Sequence, residues 1–94
     1  MIVRISGEAQ YRLDESHHER LNDLDDAVVA AVDAGDPDAY AERFEALLDY
    51  VRAEGSELAD DDLEGSDFIL PPSDLSFEEA ATEFNGDGLI PDPA

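Results

Sequence analysis

The chain has 94 residues, with no cysteine, no lysine and 26 acidic residues against 5 arginines, for a formal net charge of −21. That length fits one domain, 1–94, and not two. The composition excludes a disulfide framework, a thiolate nucleophile and a cysteine metal site, and it excludes nucleic-acid binding, which needs clustered Lys or Arg for phosphate contacts. Hydrophobic residues still make up 43% of the chain, so a folded domain with a modest core is expected rather than a disordered acidic tail.

Residues 1–13 alternate in polarity. Met1, Val3 and Ile5 share one face of a strand, and Ala9, Tyr11 and Leu13 share one face of a second. Ser6-Gly7-Glu8 reads as the turn. A three-residue loop sets Ile5 opposite Ala9, Val3 opposite Tyr11 and Met1 opposite Leu13, with all apolar partners on one side; a two-residue loop splits the faces. The outer face then carries Ile2, Arg4, Gln10 and Arg12. An isolated hairpin is marginal in water, so this one has to lie on helices.

Residues 14–55 predict a helical hairpin. Asp14 starts the first helix, or Ser16 does, with Glu19 completing a capping box. Leu21, Leu24, Val28, Ala31 and Val32 recur on one stripe, and Gly35 ends the helix in a left-handed conformation. Asp36 as N-cap, Pro37 at the first helical position and Asp38 beside the positive helix end open the second. Its stripe is Tyr40, Phe44, Leu47, Leu48 and Val51, and Gly55 closes it. The short link makes the two helices antiparallel neighbours.

Residues 56–94 are looped and acidic, with Leu58 and Leu63 as isolated anchors. Phe68-Ile69-Leu70, stopped by Pro71-Pro72, reads as a third strand beside the hairpin. Ser76-Phe77-Glu78-Glu79 is a second capping box that starts a brief helix, with Phe77, Ala80, Ala81 and Phe84 on one side. Asn85-Gly86-Asp87-Gly88 breaks it, and Leu89 and Ile90 follow as two apolar residues near the end. The expected architecture is α+β: a small antiparallel two- to three-stranded sheet packed on an antiparallel αα-hairpin, with a short C-terminal helix.

The acids are spread over almost every segment. That favours adaptation to concentrated salt, where a Debye length of about 3 Å at 1 M removes most self-repulsion, over a dedicated acidic surface. The opening Met1–Ile5 is too short and too soon charged for a signal peptide, and no apolar run approaches the ~20 residues that span a bilayer. Binding to an anionic membrane surface needs basic clusters that this chain lacks. A cytoplasmic location without membrane insertion is expected.

No catalytic constellation is legible. His17 and His18 are adjacent, so on a helix they point about 100° apart and cannot share a metal by themselves. His17 falls on the stripe of Leu21 and Leu24 and reads as a half-buried, hydrogen-bonded residue of the first turn. Asp60-Asp61-Asp62-Leu63-Glu64-Gly65 resembles the opening of a calcium loop, but Asp67 stands where an apolar residue belongs and Pro71 where the bidentate glutamate belongs. A solvated acidic loop is the better reading. Carboxylate pairs such as Asp25-Asp26 and Glu78-Glu79 mean little in so acidic a chain. No enzyme, no cofactor and no metal site is expected. For a protein partner, the candidate contacts are Arg43 and Tyr50 on the shoulder of the second helix, Arg4 and Arg12 on the outer strand face, and Leu89 and Ile90 near the end.

The order of motifs resembles the phage-shock-protein-A-associated (PspAA) domain family. The resemblance is carried by Met1-Ile2-Val3-Arg4-Ile5-Ser6-Gly7-Glu8-Ala9-Gln10-Tyr11 and by Leu21-Asn22-Asp23-Leu24-Asp25 leading into an alanine-rich helix. It continues through Ser66-Asp67-Phe68-Ile69-Leu70-Pro71-Pro72-Ser73-Asp74, a Phe77-Glu78-Glu79 helix and Gly86-Asp87-Gly88-Leu89-Ile90-Pro91. The extra acidity is similar to that of haloarchaeal members. The resemblance implies association with PspA, a coiled-coil protein that assembles on stressed membranes, and implies no catalysis. It supplies no residue roles. An acidic decoy that occupies a basic, nucleic-acid-binding protein is the alternative in a different class, and a metal-dependent enzyme using His17 is the third.

Overall fold

The computed structural model describes residues 1–58 and 65–84. Its sheet begins with the predicted hairpin, β1 (Ile2–Ile5) and β2 (Gln10–Arg12), in the expected register, with Val3 opposite Tyr11. The Ile5 amide donates to the Ala9 carbonyl at 2.9 Å, which closes the loop. Gly7 at its centre has φ +76°, a left-handed conformation that favours glycine.

Two further strands flank this pair. β3 (Ser56–Glu57) pairs antiparallel with β2, and β4 (Phe68–Leu70) pairs parallel with β1. The order across the sheet is β3-β2-β1-β4. The N-terminal strand is therefore internal, and the expected third strand is joined by a fourth of only two residues.

A 3₁₀ turn (Glu15–His17) leads into α1 (His18–Asp33). Asp14, not Ser16, caps the turn: the Ser16 amide donates to Asp14 Oδ1 at 2.9 Å, and α1 itself starts after His17 with no side-chain cap. This bond lowers the Asp14 pKa, because it favours the charged carboxylate. At the far end Gly35 has φ +69°, with bonds from the Asp36 amide to the Ala31 carbonyl and from the Gly35 amide to the Val32 carbonyl. That pair of bonds is a Schellman motif and satisfies two orphaned carbonyls. One residue later Asp36 accepts from the Ala39 amide at 3.1 Å and starts α2 (Pro37–Glu54).

α2 ends at Gly55, whose extended backbone (φ −89°, ψ 157°) feeds directly into β3. The requirement for glycine there is space. A Cβ at Gly55 would lie 2.6 Å from the Val51 carbonyl oxygen and 2.8 Å from Tyr11 Cβ. α3 (Phe77–Glu83) starts with both bonds of the predicted capping box between Ser76 and Glu79.

The helical hairpin packs on one face of the sheet. Val3, Ile5, Tyr11, Leu13 and Leu70 meet the stripes of α1 and α2, while Ala80 and Phe84 of the α3 segment close the end. Aromatic rings organise that end. Tyr40 stacks on Phe44 at 5.6 Å, Phe77 approaches Tyr40 edge-on at 5.8 Å, and Phe84 approaches Phe44 edge-on at 5.6 Å. Offset and edge-on contacts suit the ring quadrupole. Among the described residues no helix is long and apolar enough to cross a membrane.

Candidate functional site

With the inner sheet face and the helix stripes consumed by the core, a site must be built from what remains. Arg4 sits at the centre of the outer sheet face. Its register partners are Gln10 on β2 and Ile69 on β4, and partners in register project from the same face. Ile69 is 62% exposed, the one large hydrophobic residue so exposed among those described. Arg4 is exposed and has no carboxylate partner among the described residues.

The rest of this face is partly covered. Ile2 points the same way as Arg4, yet it is only 6% exposed and stands outside the main core cluster. The chain re-enters the sheet beside it. The Ile2 amide donates to Asp67 Oδ2, the Asp67 amide donates to the Ile2 carbonyl, both at 2.8 Å, and the Ser66 hydroxyl donates to Gln10 Oε1. Arg12 is exposed and already has an interaction partner. Of the two arginines expected on this face, Arg4 is the one left open.

On α2 the two shoulders differ. Arg43 is exposed among small neighbours, Ala39 and Ala46. Tyr50, seven residues on, is half-buried: its hydroxyl lies 2.6 Å from His17 Nδ1, and the rings meet edge-on at 5.7 Å. His17 is thus a half-buried, hydrogen-bonded residue tying the start of α1 to the end of α2. His18 instead packs against Phe68 at 5.5 Å. The two histidines serve different contacts, and among the described residues no three acidic or histidine side chains are placed to hold a metal.

The opposite shoulder of α2 carries a clamp that sequence reading missed. Arg52 grips Glu8 with two bonds, Nη2 to Oε1 at 2.6 Å and Nε to Oε2 at 2.9 Å, and reaches Asp49 with Nη1 at 3.0 Å. Tyr11 donates to the same Glu8 at 3.0 Å. The Arg52 hydrogen bonds hold the Glu8 carboxyl below its ordinary range, and Glu8 in turn raises the Arg52 pKa. Partial burial, followed by the bond to Glu8, pushes the Tyr11 phenol up. Glu8 and Arg52 are 44 positions apart, so no local pattern announces the pair.

Beyond the clamp, a groove of about 410 Å³ runs between α2 and residues 73–75, floored by Tyr40, Phe44 and Leu48. Those three side chains are buried and the Tyr40 hydroxyl is spent on the Leu75 carbonyl at 2.8 Å, so the groove offers little free apolar surface. Burial also raises the Tyr40 pKa, with the Glu79 charge adding to it.

Asp25 departs furthest from its sequence reading. Set aside with Asp26 as one more carboxylate pair of an acidic chain, it is 0% exposed, and Asn22 one turn earlier is also buried. Both have interaction partners. They rotate the buried stripe of α1 toward Val29 and leave Leu24 and Val32 half-buried. Leu63, Leu89, Ile90 and most of the calcium-like run, Asp60–Glu64, lie outside the described residues.

The described surface therefore offers an open cation beside an exposed aliphatic residue, on a face braced from behind by the core. No curated protein and no solved structure matches the chain. A family model does, over residues 1–92, described as PspA-Associated protein. The chain belongs to the PspA-associated (PspAA) family, as the order of its motifs implied.

Proposed function

We propose that this chain is a non-catalytic interaction module, an adaptor or regulator that works with a PspA-type coiled-coil membrane-stress protein in the cytoplasm. The observation that carries this reading is the family match, which spans nearly the whole chain rather than one motif. The distribution of side chains supports it. The described polar clusters, Glu8–Arg52–Asp49 and His17–Tyr50, are occupied in bracing the fold. On this reading the charge of −21 keeps the surface hydrated in concentrated salt and is not itself the recognition element.

Pull-down with the PspA-type protein at about 1 M KCl tests the reading, since self-repulsion is screened there. Retention well above a scrambled-sequence control is expected. Retention no better than the control would remove the adaptor role. The decoy alternative makes the opposite salt prediction: binding to a basic partner that collapses between dilute and molar salt.

A further inference from the structure

Arg4 is singled out by its place on the sheet, since Arg20 and Arg43 on the helices also pair with no acid among the described residues. Carboxylates outnumber arginines by 26 to 5, and Arg52 alone engages two of them. Yet Arg4, held at the middle of a four-stranded sheet, faces uncharged neighbours, Gln10 and Ile69, and pairs with no acid among the described residues. Ile69 stands on β4, an edge strand among the described residues, directly before Pro71-Pro72. Prolines of that kind blunt further strand pairing along an edge, so a partner is better received on the face than in the ladder.

The chemistry of an occupant follows. Covering Arg4 with purely apolar surface would strip a charge of water without repayment, so the occupant must bring a hydrogen-bond acceptor, for which a carboxylate is the strongest choice. Covering Ile69 calls for a large aliphatic group. The two positions are register partners on neighbouring strands, about 4.8 Å apart. Residues three or four apart on a helix are separated by about 5–6 Å, so one helix surface can present both groups at that spacing. A coiled coil turns its leucine seam inward, so both groups would come from its outward-facing positions.

We propose that the Arg4–Ile69 corner of the outer sheet face docks a helix of the coiled-coil partner through an acidic and a large aliphatic side chain one turn apart. This rests on the adaptor reading above and assigns it a surface. It carries its own salt signature. An acidic helix is repelled at long range by a chain of net charge −21, while contact-range pairing and apolar burial survive screening. Binding therefore strengthens, or holds, as salt rises to molar concentration.

Titration calorimetry of the full chain with the full-length PspA-type partner, at about 1 M KCl, tests this. Arg4→Glu and Ile69→Ser should each weaken binding by about tenfold or more, the size of effect a central contact carries. Arg4→Gln should lie between wild type and Arg4→Glu. Arg43→Glu, an equal charge reversal on α2, should stay within about twofold of wild type, and circular dichroism should show all four variants folded. Wild-type binding with Arg4→Glu and Ile69→Ser unaffected overturns this surface and leaves the adaptor reading standing. Equal losses in Arg4→Glu and Arg43→Glu overturn it too, by assigning the effect to net charge. No binding by wild type removes the adaptor reading and this surface together.

Discussion

The two faces of the sheet obey different rules. On the inner face Val3, Ile5, Tyr11, Leu13 and Leu70 answer to packing and form one continuous core with the helices. On the outer face a buried Ile2, an open Arg4 and a 62% exposed Ile69 stand within one small patch. The inner face determines whether the chain folds, and it leaves nothing over for a partner. On the outer face Ile2 is buried while Arg4 and Ile69 stay exposed, which frees those two for another use.

Substitutions can break this contrast, and the largest effect should come from the core. Phe44→Ala removes a ring held between Tyr40 and Phe84 and should cost about 3–5 kcal/mol. Thermal melting reads it at about 4–8 °C per kcal/mol for a domain of this size. Gly55→Ala is next. Its Cβ would meet backbone at 2.6 Å, where no rotamer change gives relief, for a cost of about 1–3 kcal/mol in chemical denaturation.

Smaller effects belong to the braces. Tyr50→Phe deletes the bond to His17 and should cost about 0.5–1.5 kcal/mol. Arg52→Met should cost no more than about 1 kcal/mol, because the clamp is partly exposed and solvent screens it. Its pH signature is sharper than its size. Arg52 holds the Glu8 pKa below 4.5, so the clamp stabilises above that pH and is lost as pH falls through the lower folded value. The variant should therefore lose stability less steeply below pH 4.5 than wild type does, by equilibrium unfolding across pH. The smallest effect is expected at Ile69→Ser, within about 0.5 kcal/mol, as for surface positions without special contacts. A large loss there would show that the outer face also supports the fold.

Legibility followed the range of the forces involved. The β1–β2 register, the Asp36-Pro37 helix start, the Gly35 stop and the Ser76–Glu79 capping box all rest on contacts a few residues long, and a periodic pattern exposes them. The start of α1 offered two local solutions, and sequence alone did not separate Asp14 from Ser16. β3 was missed because Ser56 and Glu57 have no strand character of their own; the open edge of β2 recruits them. The burial of Asp25 was not legible because one carboxylate in an acidic run looks like the next; it follows from the tertiary packing around α1. On the surface, Arg4 and Arg12 looked equivalent. Only the assembled structure tells them apart, since Arg12 has an interaction partner there and Arg4 pairs with no acid among the described residues.

The internal position of β1 has a consequence for synthesis. Its second neighbour, β4, arrives some 65 residues later, the separation bridged by the Ile2–Asp67 hydrogen bond. A ribosome has therefore made most of the chain before the sheet can close, and loop closure of that length slows folding. Throughout that interval Ile2–Ile5, an apolar strand, keeps one edge open to its counterpart on any neighbouring nascent chain. The acidic side chains that keep the finished chain hydrated are then useful earlier, keeping unfinished copies soluble.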